Sequence, residues 1–475
     1  MFFLRCLKMG GCILAMFAGV DAAARTFSVM VYNVENLFDD DGVAAYEDYQ
    51  PRLYTSAHFK TKLANISRVV AGMENGKGPD IILFQEIEVD QTPDRVAPAE
   101  EQLRAAFESR GMTGYTVVPG NDSAATRYED GNPRGVKCVI FTRFPVRQVR
   151  NHPTLNARNI LEVELEIDGA RLHVFDNHWK SGASDPVTEK IRIANARTLR
   201  ARLDELLRED PHADIILGGD FNSQYNQSRV MKGRMPVTAL NDVLGSQGNE
   251  LALRAGKATL YNLWFELPAD QRGSDVYRGE WGTLIQMILS RGLYDFKGVQ
   301  YVDNSFAVLR LKGINANPEG TPLRWTSEGA SGSGFSDHFP VYALFRTVKD
   351  NRTDKWIDLE SPSKSDDSPS RPPKAPEKTY DLASATNLSA VHDRTALRNG
   401  SFNGKLMHVE GRVGTGRRLS VEVNGDSWEV WVPDPALREK VRSRWREGDR
   451  ISFYGILGQF KGTWQFTVER ADWIR

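Results

Sequence analysis

The chain has 475 residues, with 61 Lys and Arg against 62 Asp and Glu and a formal net charge of -1. That length accommodates two or more domains, and the even balance excludes a chain that is basic overall, so any polyanion site must be local. Its 3 cysteines, Cys6, Cys12 and Cys138, exclude a disulfide-stapled scaffold and leave stability to core burial or bound metal.

At the start, Arg5 and Lys8 precede an apolar stretch from Gly10 to Val20, followed by Ala22, Ala23 and Ala24. This is the pattern of an export signal cleaved near Ala24, and the apolar stretch is too short to span a bilayer comfortably. A periplasmic or secreted protein without a membrane anchor is expected. After cleavage only Cys138 remains, in the strand-like run Val136 to Phe141, where a buried core residue is expected rather than a nucleophile.

Phe27 to Tyr32 reads as a strand ending in Asn33-Val34-Glu35-Asn36, and Phe59 to Met73 has helical apolar spacing stopped by Gly76, Gly78 and Pro79. Asp80 to Phe84 is a second buried strand, followed by Gln85-Glu86. Ala99 to Arg110 predicts a helix, and Gly114 to Pro119 and Gly135 to Phe141 predict strands around a polar loop. In that loop Arg127 and Arg134 either touch a phosphate backbone or are ordinary surface charges. Ile160 to Ile167 and Leu172 to Asp176 form a hairpin whose second strand ends in Asn177-His178-Trp179-Lys180-Ser181. Thr188 to Leu207 is an amphipathic helix whose arginines are expected to face solvent.

The run from Ile215 to Ser223 is a buried strand giving out at Gly218 and Gly219, where glycine lets another backbone or a ligand approach. Asp220 and Asn222 then face one side of its tip. Trp281 to Ser290 is another strand, and Gly334 to Tyr342 sets Asp337-His338 before a closing one. Each tip has a bland reading by itself: Asp and Asn bonding the nearby backbone, Glu86 a solvated charge, Asp-His structural. Together they supply the hard oxygen groups Asn33, Glu86, Asp220, Asn222 and Asp337 with the imidazoles His178 and His338. No cysteine cluster or His-rich triad accompanies them, which favours Mg²⁺, Mn²⁺ or Ca²⁺ over zinc. Phosphoester hydrolysis is the reaction class that uses a hard metal, proton-transfer groups and amide donors together.

Composition divides the chain into a signal (1–24), a main domain (25–347), a Pro- and Ser-rich linker (348–380) and a C-terminal domain (381–475). The last reads as three strands, a helix over Pro435 to Trp445 and two strands, the order of an OB-like β-barrel. Trp428, Trp431, Tyr454, Phe460 or Trp464 beside Arg417, Arg418 and Lys461 either contact single-stranded nucleic acid or pack the core.

The motifs Tyr32-Asn33-Val34-Glu35-Asn36, Gln85-Glu86, Asn177-His178-Trp179-Lys180-Ser181, Gly219-Asp220-Phe221-Asn222-Ser223 and Ser336-Asp337-His338-Phe339-Pro340-Val341 occur in this order. Over Phe27 to about Arg346 the chain resembles the endonuclease/exonuclease/phosphatase superfamily. The resemblance implies an α/β fold, a DNase I-like four-layer α/β sandwich of two packed sheets. It further implies a divalent cation at Asn33, Glu86 and Asp337, and catalysis by His178, Asp220, Asn222 and His338. His178 would hold the phosphate or act as acid and either His338 or Asp220 would act as base, with Asn177, Lys180 and Arg134 on the substrate. Relatives usually carry an Asp that supports the last histidine, in a strand of the form Leu-Asp-Gln-Ile-Leu-Val-Ser. Here Ile285, or with a one-residue slip Gln286, takes that place, so catalysis is expected to be weaker unless another acid substitutes. The leading expectation is an exported metal-dependent nuclease acting on DNA or RNA. A phosphoesterase for a lipid or small phosphoester, its pocket shaped near Trp264 and Trp281, and a weakly catalytic nucleic-acid binder are the alternatives.

Overall fold

Along the strands that carry the motifs, alternate side chains enter two different cores. Val29 and Val31, like Leu83 and Ile216, point into a core between two sheets. Met30 and Tyr32, like Ile82 and Phe84, pack outward beneath helices, and so, on the other sheet, do Ile215 and Leu217. Strands apolar on both faces must be covered on both, which makes them interior layers. The computed structural model describes residues 25–475 except 93–94, 124, 130, 364–368, 370, 378, 399–400, 417 and 461–462. The export signal therefore lies outside the described residues.

The order is β1 (Thr26–Leu37), α1 (Ser56–Val70), β2 (Ile81–Glu88), α2 (Ala99–Glu108), β3 (Thr116–Pro119), β4 (Val136–Thr142), β5 (Val146–His152), β6 (Ile160–Ile167), β7 (Ala170–His178) and α3 (Pro186–Glu209). It continues through β8 (Ile215–Asp220), short helices α4 (Gln227–Val230) and α5 (Glu250–Arg254), β9 (Leu260–Asn262), the hairpin β10 (Asp275–Tyr277) and β11 (Glu280–Gly282), β12 (Ile285–Ser290), β13 (Asp295–Tyr301), β14 (Ala307–Val308) and β15 (Val341–Trp356). One sheet runs β13-β15-β1-β2-β4-β3, with β14 on β15, and the other β5-β6-β7-β8-β12-β9. With α1 and α2 outside the first sheet and α3 outside the second, the domain is the expected four-layer α/β sandwich.

The two glycines of β8 have separate reasons. A Cβ on Gly218 would lie 2.6 Å from Leu83 Cδ2 and 2.8 Å from Val31 Cγ2, so its absence lets the sheets close up beneath the site. Gly219, at φ +134°, leaves room for the Asn177 carbonyl, which a Cβ would meet at 2.1 Å. The parallel pairs β1 with β2 and β7 with β8 then deliver Asn33, Glu86, His178 and Asp220 to one end of the sandwich.

Beyond it, β16 (Thr386–Asn387), β17 (Leu406–Val413), β18 (Ser420–Val423), β19 (Asp426–Trp431), α6 (Pro435–Arg444), β20 (Arg450–Phe460) and β21 (Thr463–Thr467) follow. Pairing of β17 with both β18 and β20, and of β21 with β19 and β20, closes a five-stranded barrel. Parallel β19 and β21, with the helix between β19 and β20, give the OB-like order.

Several expectations need correction. The boundary drawn at 348 falls inside β15, which continues to Trp356. The proline-rich segment is fastened rather than free: Asn226 Nδ2 donates to Pro369 O (2.8 Å), Trp281 N to Pro373 O and Ala375 N to Gly279 O (both 2.8 Å). Prolines cannot donate, but their carbonyls accept along the open edge of β11. The arginines of α3 are not all solvated, since Arg192 is buried against Glu189 and Arg202 grips Glu162. In the barrel Trp428 is core, while Trp431 is exposed under the Arg438 guanidinium. Tyr454 and Trp464 are half-buried, and Arg418 is paired with Glu429. Arg417, Lys461 and the Phe460 side chain lie outside the described residues. Trp264 fills the core between the sheets and shapes no pocket. Cys138 is buried there as expected.

Candidate active site

At the open end of β1, Asn33 Nδ2 donates to Glu86 Oε1 (3.0 Å) and to Asp220 Oδ2 (3.2 Å). Its Oδ1 accepts from Glu35 N at 2.9 Å. Asn33 therefore orients two carboxylates through its amide nitrogen. His178 Nε2 lies 3.7 Å from Glu86 Oε1 and 3.8 Å from Asp220 Oδ2. His338 Nε2 lies 3.9 Å from the same Asp220 oxygen and 3.6 Å from Asp337 Oδ1. Ser336 Oγ locks the His338 loop onto β1 by donating to Asn33 O (2.7 Å) and accepting from His338 N (3.1 Å). Glu35, Asn36, Glu86 and Asn222 all have positive φ, so the strand tips bearing the site are held in a conformation that costs non-glycine residues about 1 kcal/mol or more each.

The two imidazoles sit in opposite environments. Burial, with Arg158 and His338 nearby, holds His178 well below the usual histidine range and leaves it neutral. Burial also opposes charge on His338, but Asp337, Asp220, Asp275 and Glu86 outweigh it and push His338 up to about 9. Burial raises both Glu86 and Asp220. Such divergence separates acid from base.

The register confirms that Ile285 stands beside Asp220 in the neighbouring strand, with its side chain in the core between the sheets. The acid comes from elsewhere. Asp275, at the start of β10, forms an isolated antiparallel bridge with His338 and sets Oδ1 3.9 Å from His338 Nδ1. Its Oδ1 accepts from Ser274 Oγ (3.2 Å) and Leu284 N (3.3 Å). A Cβ on Gly282 would meet Asp275 Oδ2 at 2.1 Å, so that glycine makes the space. Ser274-Asp275 next to a Gly-ended hairpin was the one sequence signal available for it.

The remaining expected residues divide. Asn222 caps the tip, its N–H donating to Asp220 Oδ1 (2.8 Å) and its Nδ2 to Trp179 O (3.1 Å). Asp337 is half-exposed at the rim, 3.9 Å from Arg324. Asn177 is corrected from substrate contact to scaffold: it is fully buried, donates to Gly218 O (3.0 Å) and accepts from Trp179 Nε1 (3.1 Å). Arg134 is committed to Thr154 O and Asn159 Oδ1. It shares the Tyr128 ring with Lys180, their charges 5.5 and 5.7 Å from its centroid. Arg158, which the sequence did not single out, acts on Glu86 and His178 from that side. Together these residues form a basic flank beside the carboxylates.

Glu86, His178 and Asp220 each bring one ligand atom within 4.8 Å of the others. Two buried carboxylates converging on one amide, each raised by burial, fit a hard divalent cation, which would relieve both. Those two would hold it, with His178 alongside.

The two-sheet sandwich gathers carboxylates and imidazoles at its strand tips. Residues 132–347 match the family model described as Endonuclease/Exonuclease/phosphatase family. Asn33 and Glu86 precede the matched stretch and are brought to it by the fold. No curated protein matches the chain. Similar solved structures include truncated TDP2 from Caenorhabditis elegans, 15% identical, covering 67% of this chain and 97% of that one at a TM-score of 0.39. ANGEL2, a 2',3'-cyclic phosphatase, is 15% identical, with 69% and 97% covered and a TM-score of 0.42. A mannosyl-6-phosphatase from Bacteroides thetaiotaomicron VPI-5482 is 15% identical, with 68% and 100% covered and a TM-score of 0.38.

Proposed function

We propose that the protein is an exported, divalent-metal-dependent phosphodiesterase acting on DNA or RNA. The observation that carries this reading is Asp220 Oδ2 standing between Asn33, His178 and His338 at the tip of β8. A cation held by Glu86 and Asp220 would supply charge neutralisation at the phosphoryl oxygens. Asp220, whose carboxylate the Asn222 N–H fixes, would take the proton of the attacking water through the oxygen it does not give to the cation. His338, with the Asp275 carboxylate 3.9 Å from its Nδ1, would give a proton to the leaving oxygen. Neutral His178 and Arg158 bind the phosphoryl group, and the flank at Lys180 guides the backbone. The OB-like barrel, with Trp431 exposed beside Arg438, favours nucleic acid over a lipid or small phosphoester.

The test is hydrolysis of plasmid, linear and single-stranded DNA, RNA, sphingomyelin and a small phosphodiester, each with Mg²⁺, Mn²⁺, Ca²⁺ and chelator. Cleavage of nucleic acid that chelator abolishes is expected. Turnover of sphingomyelin or the small ester alone would move the assignment to that substrate, and inertness toward the whole panel would leave a binding protein. Export is tested by the N-terminus of protein recovered from outside the cytoplasm, expected near Arg25.

A further inference from the structure

A second acidic cluster lies where β1 and β2 run out, on the far side of their catalytic tips. Asp39 and Asp41 follow β1, and Asp90 follows Glu88 at the end of β2. Asp39, Asp41 and Asp90 each bring a carboxylate oxygen within 4.8 Å of the others. Glu88, buried beside them, accepts from Asp39 N through Oε2 at 2.8 Å. From these residues we propose a structural Ca²⁺ site, separate from the catalytic centre, that staples the end of β1 to the end of β2.

Like charges at this separation repel, and acidity alone would establish nothing. The independent observation is burial: Asp39 is only 5% exposed, yet its Oδ2 is shut away from solvent with no hydrogen-bond partner, and so is Asp90 Oδ2. A buried carboxylate oxygen left without a donor costs on the order of 1–3 kcal/mol, more when charged, and a cation removes that cost. Among the described residues the neighbours do not supply one. The charged groups acting most strongly on Asp39 are Asp41 and Asp90, and those acting on Glu88 are Asp39, Asp41 and Asp90. The nearby hydroxyls are committed, that of Tyr54 to Phe38 O and that of Thr92 to Asp41.

Ion choice follows from the donors. Oxygen-only ligands exclude a soft metal, and several carboxylates on a loop that turns at Gly42 suit a larger ion with flexible coordination better than Mg²⁺, which keeps its own waters. Asp41 and Asp90 are half-buried, so the ion has a route to solvent. The consequence for catalysis is positional, since Glu88 is two residues beyond Glu86 on the same strand.

Equilibrium dialysis with Ca²⁺ and thermal unfolding test this in a Glu86→Gln background, which removes the catalytic carboxylate. One Ca²⁺ per chain is expected, with a Tm that rises with Ca²⁺ and reaches saturation at lower concentration than with Mg²⁺. Adding Asp39→Asn and Asp90→Asn is expected to abolish both effects while a cooperative transition persists in chelator. Should that variant fail to fold, Asp41→Asn alone carries the test and is expected to weaken Ca²⁺ binding at least tenfold. No Ca²⁺ bound by the Glu86→Gln protein would overturn the proposal. Binding and Tm shift unchanged by these substitutions would do so too.

Discussion

Asp275 reaches His338 from a strand ten residues ahead of the position where a supporting acid was expected, at 3.9 Å from Nδ1, while Ile285 fills the core. The carboxylate near the imidazole thus comes from a different element. Asp275→Asn should keep the fold and lower kcat about 10²-fold or more with little change in KM, because it removes the charge that holds and stabilises the imidazolium. The pKa of His338, followed by NMR, should fall in the same variant, since Asp275 is one of the charges that raise it. An unchanged kcat would remove Asp275 from the mechanism.

Restoring the acid where relatives carry it should fail. Ile285 is fully buried between the sheets. Ile285→Asp would place an unpartnered carboxyl there, at a cost on the order of 3 kcal/mol or more. Chemical denaturation should show a lower midpoint for Ile285→Asp, and the double variant with Asp275→Asn should regain no activity.

Glu86→Gln should separate stability from function. Burial raises Glu86, so its charge is held at a cost in the cation-free protein, with Asp337 and Asp220 adding repulsion. In chelator at neutral pH the variant should unfold at a higher temperature than the parent, by an amount corresponding to about 1 kcal/mol. In Mg²⁺ it should be inactive. A lower melting temperature in chelator would mean that Glu86 supports the fold.

The sharpest acid sensitivity should come from Glu162 on β6. Its carboxylate, 1% exposed, receives Arg202 at 2.9 and 3.0 Å and His152 at 2.7 Å. Burial alone would raise it, but these hydrogen bonds and the His173 ring 3.3 Å away prevail and hold it far below the usual range. With a depressed folded-state pKa, its stabilisation is complete above the ordinary Glu value of about 4.3 and is lost as pH falls below it. Glu162→Gln should cost about 3 kcal/mol at pH 7 and flatten the acid limb of the stability curve measured by urea unfolding.

The sequence was most legible where chemistry follows the chain. Each motif lies at the tip of a strand, and the apolar runs Phe27 to Tyr32 and Ile81 to Phe84 announced the strands that carry two of them. In the barrel, α6 ended one residue from its expected end at Trp445. Relations made only in space were illegible. Asp275 became the partner of His338 because the hairpin of β10 and β11 folds across the sheet end. Asn177 and Arg134 looked like substrate contacts because polar groups near a tip read alike until burial and partners are known. The arginines of α3 misled for the same reason: the helical pattern shows a charged stripe, but not that Glu162 waits beneath it. The proline-rich stretch was read from composition, which reports poor helix and strand formation and is silent about carbonyls able to dock on an edge.

That docked stretch sets a leash length. From Ala375, pinned to Gly279, to Leu382 at the threshold of the barrel there are seven peptide steps, at most roughly 25 Å of chain. A polymer segment gripped by the barrel is thereby kept within a few nanometres of the hairpin that carries Asp275. Its effective concentration there is in the millimolar range, so a weak grip suffices for repeated encounters before escape.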